Sequence, residues 1–120
     1  MTARPPGQRR VPGDVLVHLR RTRDHLDRHF AEPFDLDHLA DLAGMSRYHF
    51  LRTFKSVTGI TPHQWLLRAR VREAAHRLVT TPASVTEIAL EVGFEDLSNF
   101  TRRFHDELGK SPRRYRARSA

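Results

Sequence analysis

Two arginines in this 120-residue sequence stand in the same setting, because Phe50, Arg52 and Phe54 recur as Phe100, Arg102 and Phe104. Advancing about 100° per residue along a helix puts each phenylalanine pair on one face and each arginine on the opposite one. A guanidinium held there is a planar fork of donors, able to make paired hydrogen bonds to the O6/N7 edge of guanine. Tyr48, Lys55 and Ser56 share the face of Arg52, and Ser98, His105 and Asp106 share that of Arg102. Tyr48 can contact a thymine methyl or a phosphate, Ser98 a base edge or a phosphate, and Arg47, Lys55 and Arg103 are placed for phosphate. For any one of these residues a solvated surface charge is an equal reading; the matching of the two copies favours a shared task.

The other reactive side chains offer less. Of eight histidines, His18, His25 and His29 fall within about 40° of one another on a helix, beside its apolar stripe. Boundary histidines explain that pattern, whereas a zinc site wants Cys or well-spaced carboxylates with outer partners. No metal or other cofactor is therefore expected. The absence of cysteine excludes disulfide scaffolds and thiolate chemistry, and fits a cytoplasmic protein. With neither a Gly-rich phosphate loop nor a Ser/His/Asp arrangement, the chain reads as no enzyme. A balance of 21 Lys+Arg against 14 Asp+Glu leaves +7, which suits a polyanionic partner. Only Lys55 and Lys110 are lysines, an Arg excess that codon usage in a GC-rich genome also explains. No stretch approaches the roughly 18 apolar residues of a membrane helix, and the N-terminus lacks the apolar core of an export signal.

The elements that would position the arginines come from an internal repeat. Leu36, Leu39, Ala40, Ala43 and Gly44 recur as Val85, Ile88, Ala89, Val92 and Gly93 at an offset of 49. After a one-residue insertion, Phe50, Arg52, Phe54, Gly59, Pro62 and Trp65 recur as Phe100, Arg102, Phe104, Gly109, Pro112 and Tyr115 at an offset of 50. Each copy reads as short helix, glycine turn, second helix. Asp35 is a candidate N-cap in the first copy, and Ser84 to Glu87 form a capping box in the second. Gly44 and Gly93 stand where the turn needs positive φ. Thr61-Pro62 and Ser111-Pro112 each open a further helix. The first of these, over 61–80, spans roughly 30 Å and would hold the two copies about one DNA turn, roughly 34 Å, apart.

Ahead of the repeat, a helix from Asp14 is predicted on the stripe Val15, Leu16, Leu19, Leu26 and Phe30, ending at Glu32-Pro33. The expected organisation is all-α, with about seven helices in two tandem helix-turn-helix subdomains. It comprises a disordered basic tail (1–13), a first subdomain (14–60), a connecting helix (61–80), a second subdomain (81–116) and a tail (117–120). Two reading heads in one chain, related by a repeat and not by a two-fold axis, imply a monomer on an asymmetric duplex site of about 20 bp.

The run LDHLADLAGMSRYHFLRTFKSVTGITPHQWLLRARVREAAHRLVTT, with SVTEIALEVGFEDLSNFTRRFHDELGKSPRRYR after it, resembles the DNA-binding domain of the AraC/XylS family of bacterial transcription regulators. The resemblance covers residues 15–116 and is most specific in the block from Ile88 to Phe104 with Gly109 and Ser111 to Arg116. It implies seven helices, recognition helices at about 46–57 and 97–107 in successive major-groove segments, residence on the bacterial nucleoid and activation by contact with RNA polymerase. The implied DNA-binding set is Ser46, Arg47, Tyr48, Leu51, Arg52, Lys55, Leu97, Ser98, Arg102 and Arg103. Leu51 and Leu97 occupy recognition-helix positions where members of the family can carry polar base-reading side chains, so each gives a methyl contact or none. Many members add an effector or dimerisation domain for which 120 residues leave no room. Met1 and the tail favour a stand-alone regulator over an excised part. An interaction-only role, with the second head binding polymerase and not DNA, stays open.

Overall fold

The computed structural model describes residues 13–119, and among these every regular element is a helix: α1 (Gly13–Arg28), α2 (Leu36–Ala43), α3 (Arg47–Thr58), α4 (Pro62–Thr80), α5 (Val85–Glu91), α6 (Leu97–Leu108) and α7 (Pro112–Ser119). α4 is the shared wall, packing against α1 and α3 on one side and α5, α6 and α7 on the other. Adjacent residues divide its allegiance, since Leu66 belongs to the core of the first head and Leu67 to that of the second. At about 100° per residue, two neighbouring positions are enough to address two cores.

The repeat is reproduced in space. Phe50 and Phe54 are fully buried with ring centroids 5.7 Å apart, and Trp65 meets Phe54 edge-on at 5.9 Å. In the second head Phe100 and Phe104 are 5.6 Å apart and Tyr115 meets Phe104 at 5.4 Å. Burying each such ring stabilises its head by about 1.5–3 kcal/mol.

The interhelical turns match as closely. Gly44 has φ +67 and Gly93 φ +107, values a side chain with a Cβ rarely adopts. Gly44 N–H donates to Asp41 C=O at 3.0 Å and Met45 N–H to Ala40 C=O at 3.0 Å. One repeat later Gly93 donates to Leu90 at 3.1 Å and Phe94 to Ala89 at 3.0 Å. The crossed pair satisfies carbonyls that the helix end would leave open. The inserted residue lies in the second turn, where Glu95 separates Phe94 from the N-cap Asp96.

Caps fix the helix starts. Asp35 accepts from His38 N–H, while Thr61 with Gln64 and Ser84 with Glu87 form complete capping boxes. Ser111 Oγ accepts from Arg114 N–H at 3.2 Å.

Three boundaries and one stripe differ from expectation. α1 stops at Arg28, before Glu32-Pro33, and is followed by a turn in which Glu32 N–H donates to His29 C=O while the carbonyls of Phe30 and Glu32 accept from the Arg70 guanidinium. Gly13, the last residue of the tail expected over 1–13, belongs to α1, and the rest of that tail lies outside the described residues. α7 runs to Ser119 and not to 116, with Arg116 tying it to the end of α4 through the carbonyls of Leu78, Thr81 and Ala83. Leu16 is 44% exposed; Thr22 takes a place on the buried stripe instead, its hydroxyl donating to Leu19 C=O at 2.7 Å.

Candidate nucleic-acid interface

α3 and α6 are the second helices of the two heads, each pinned to its core by a phenylalanine pair, so their opposite faces are turned outward. On α3, Tyr48, Arg52 and Lys55 are exposed, Tyr48 by 69%. Arg52 lies back over Tyr48, with Cζ 5.5 Å from the ring centre and Nη1 3.5 Å from Oη. Stacking limits the rotamers open to a long, exposed guanidinium and aims it outward. On α6, Arg102 donates from Nη2 to Asn99 Oδ1 at 3.1 Å. Both arginines are thus held by a side chain one turn earlier in the helix.

The remaining expected residues divide by setting. Ser46 is the N-cap of α3 and accepts from His49 N–H at 3.2 Å. Arg47 is bound to Asp37 of α2, Nε to Oδ1 at 3.0 Å and Nη2 to Oδ2 at 2.8 Å. That exposed pair is worth about 1 kcal/mol or less and can open when a phosphate competes. Lys55 makes no salt bridge among the described residues. Leu51 is half-buried, whereas exposed Leu97 lines a shallow groove with Ser98, Thr101, Arg102, His105 and Asp106. Arg103 is half-buried, and burial first, then the charges of Arg70 and Arg103, hold His63 of α4 below its ordinary pKa. Sequence reading missed Asn99, Asp37 and Asp96. Asn99, three residues before Arg102, is a hydrogen-bond spacing that could have been found.

The histidines gather differently from the predicted stripe. His25 stacks against His29 at 4.5 Å, and His38 of α2 meets it at 4.9 Å. With Glu32, Phe34 and Leu66 they line a cleft of about 420 Å³ between α1 and α2. Burial, then the charges of His29 and His38, push His25 below its ordinary pKa, with Glu32 opposing. Among the described residues, no group of three or more such side chains is arranged to hold a metal ion, and no helix is long and apolar enough to cross a membrane.

Comparison with known proteins agrees with this geometry. The helix-turn-helix domain family matches residues 39–118. The transcriptional activator RhaS of Shigella boydii is 41% identical over 88 residues, which are 73% of this chain and 32% of that protein. A probable AraC family transcriptional regulator from Rhodopseudomonas palustris superposes with a TM-score of 0.80 at 27% identity, covering 86% of this chain and 97% of that one. The chain belongs to the AraC/XylS family of transcription regulators. The DNA-binding domain of AdpA, a global transcriptional factor crystallised with a target DNA, is 40% identical with a TM-score of 0.77, over 83% of this chain and 90% of that one. Against RhaS, the chain spans about a third of the relative's length.

Proposed function

We propose that this chain is the DNA-reading unit of a transcription regulator, placing α3 and α6 in successive major-groove segments on one face of a duplex. The observation that carries this reading is the pair of matched arginines, each opposite a buried phenylalanine pair and each held by a preceding side chain. Arg52 and Arg102 read guanine, with Tyr48, Ser98 and the methyls of Leu51 and Leu97 beside them. Ser46, Arg47, Lys55 and Arg103 contact phosphate. The chain acts by binding alone, as a monomer on an asymmetric site of about 20 bp. Activation through RNA polymerase is supported by the likeness to the activator RhaS.

The test is selection of binding sites from random duplexes with the purified chain, followed by sedimentation of the complex. One chain on a non-palindromic site with two elements is the expected result. Two chains on an inverted repeat, or no enrichment, overturns it. A second reading, in which α6 binds a protein, is favoured by Leu97 exposed at the start of that helix; sites with a single element would support that reading.

A further inference from the structure

Arg70 lies in an otherwise apolar row of α4, between Leu66 and Ala74, and is 8% exposed. Among the described residues its guanidinium makes no salt bridge, and Glu95 acts on it only as a more distant charge. Nε donates to Phe30 C=O at 2.6 Å and Nη2 to Glu32 C=O at 2.7 Å, both in the α1–α2 connection of the first head. On its other side is the turn of the second head. A Cβ on Gly93 would stand 2.8 Å from Arg70 Nε, 3.0 Å from its Cζ and 3.2 Å from Ala31 Cα. Gly93 therefore has two reasons to be glycine: positive φ, and the backbone of one head touching that of the other. Phe30 packs against both cores, under the Arg77 guanidinium at 5.8 Å.

The heads are thus joined twice, once through the shared wall of α4 and once where the α1–α2 connection, held in place by Arg70, meets the Gly93 turn. A single shared helix fixes a distance but leaves each head free to rock on its own contact with it. A second tie away from that contact removes the rocking. We propose that Arg70 is a positioning residue that locks the mutual orientation of the two heads and so sets the spacing between the two DNA elements the chain accepts. The inference rests on the two-headed DNA reading above. Its physical basis is that one base pair of spacing turns one element by about 34° and moves it by about 3.4 Å, which locked heads cannot follow. Lysine cannot replace the function, since one ammonium lacks the fork that reaches two carbonyls.

Two measurements test it. The chain has no cysteine, so Asp41→Cys and Leu90→Cys place spin labels at matched, exposed positions of the two heads. Their distance distribution should be narrow with Arg70 present and broader in Arg70→Met and Arg70→Lys, with helical content retained. Binding is then measured on the selected site with its spacer lengthened or shortened by one base pair. The native chain should lose on the order of tenfold, as for one wrong contact, and the variants about threefold or less. Unchanged distances in either folded variant overturn the tie, as does loss of helical signal in both, which would make Arg70 part of the core and not a joint. Labels that loosen while the native chain prefers no duplex overturn the spacing role together with the DNA reading, and differ visibly from a failed tie.

Discussion

At the level of single residues, the proposed interface offers one chemistry in two settings. Arg52 and Arg102 are held by neighbours on their own helices, whereas Lys55 is exposed with no salt bridge among the described residues. A positioned guanidinium discriminates bases; a freely moving ammonium adds the same attraction to every phosphate backbone. Arg52→Ala is therefore expected to cost about 1–3 kcal/mol on the selected site and little on scrambled DNA, relaxing selectivity at one or two positions. Lys55→Ala should weaken all duplexes alike and reduce the slope of log K against log salt by about one unit, because one counterion fewer is released. Titrating both variants on both duplexes at several salt concentrations separates the two, and equal losses for Arg52→Ala on both duplexes would sink the base-reading role. The arginine pair was legible in the sequence because the repeat sets Arg52 against Arg102. Arg70 was not, since a lone arginine in an apolar row reads as a charge reaching for solvent; its acceptors, Phe30 and Glu32, lie about forty residues away.

Elements show where local signals suffice and where they do not. Hydroxyl and carboxylate caps at Asp35, Thr61 and Ser84 start their helices where the sequence put them, because a cap acts within one turn. The turn after α1 is held by Arg70 of α4, a distant contact that no local signal marks, and it was there that the helix end was misplaced. The contact between α1 and α2 also carries a pH dependence. His25 has a folded pKa below its ordinary value near 6.5, from burial first and then from His29 and His38, against Glu32. Above that value the imidazole is neutral in both states and has no effect. As pH falls below it, the unfolded chain takes up a proton that the folded one resists, so stability is lost from about pH 6.5 downward and levels off once the folded group titrates. Denaturation midpoints should be lower at about pH 5.5 than at about pH 7.5, and His38→Gln should shrink the difference by removing one of the opposing charges. A His38→Gln chain with an undiminished pH effect would assign it elsewhere.

For the whole molecule the question is whether two heads make one folding unit or two. Each has its own aromatic core, yet α4 walls both and Phe30 belongs to both. Removing the second head would expose Leu67, Val71, Ala74 and Leu78 on the helix that also carries Leu66 into the first core. The tie through Arg70 would lose its Gly93 side as well. Unfolding one head thus raises the free energy of the other, and a single cooperative transition is expected. The sole tryptophan is placed to test this. Trp65 lies in the first head, edge-on to Phe54, its indole N–H donating to Asp27 of α1 at 2.9 Å, so its fluorescence reports the first head alone. Phe104→Ala empties the second core at a cost of about 3–5 kcal/mol. In a coupled molecule the midpoint seen by Trp65 falls as far as that seen by far-ultraviolet dichroism, although the substitution lies in the other head. If the Trp65 midpoint stays at the native value while the dichroism midpoint drops or splits in two, the heads fold independently, and α4 is a linker and not a shared wall.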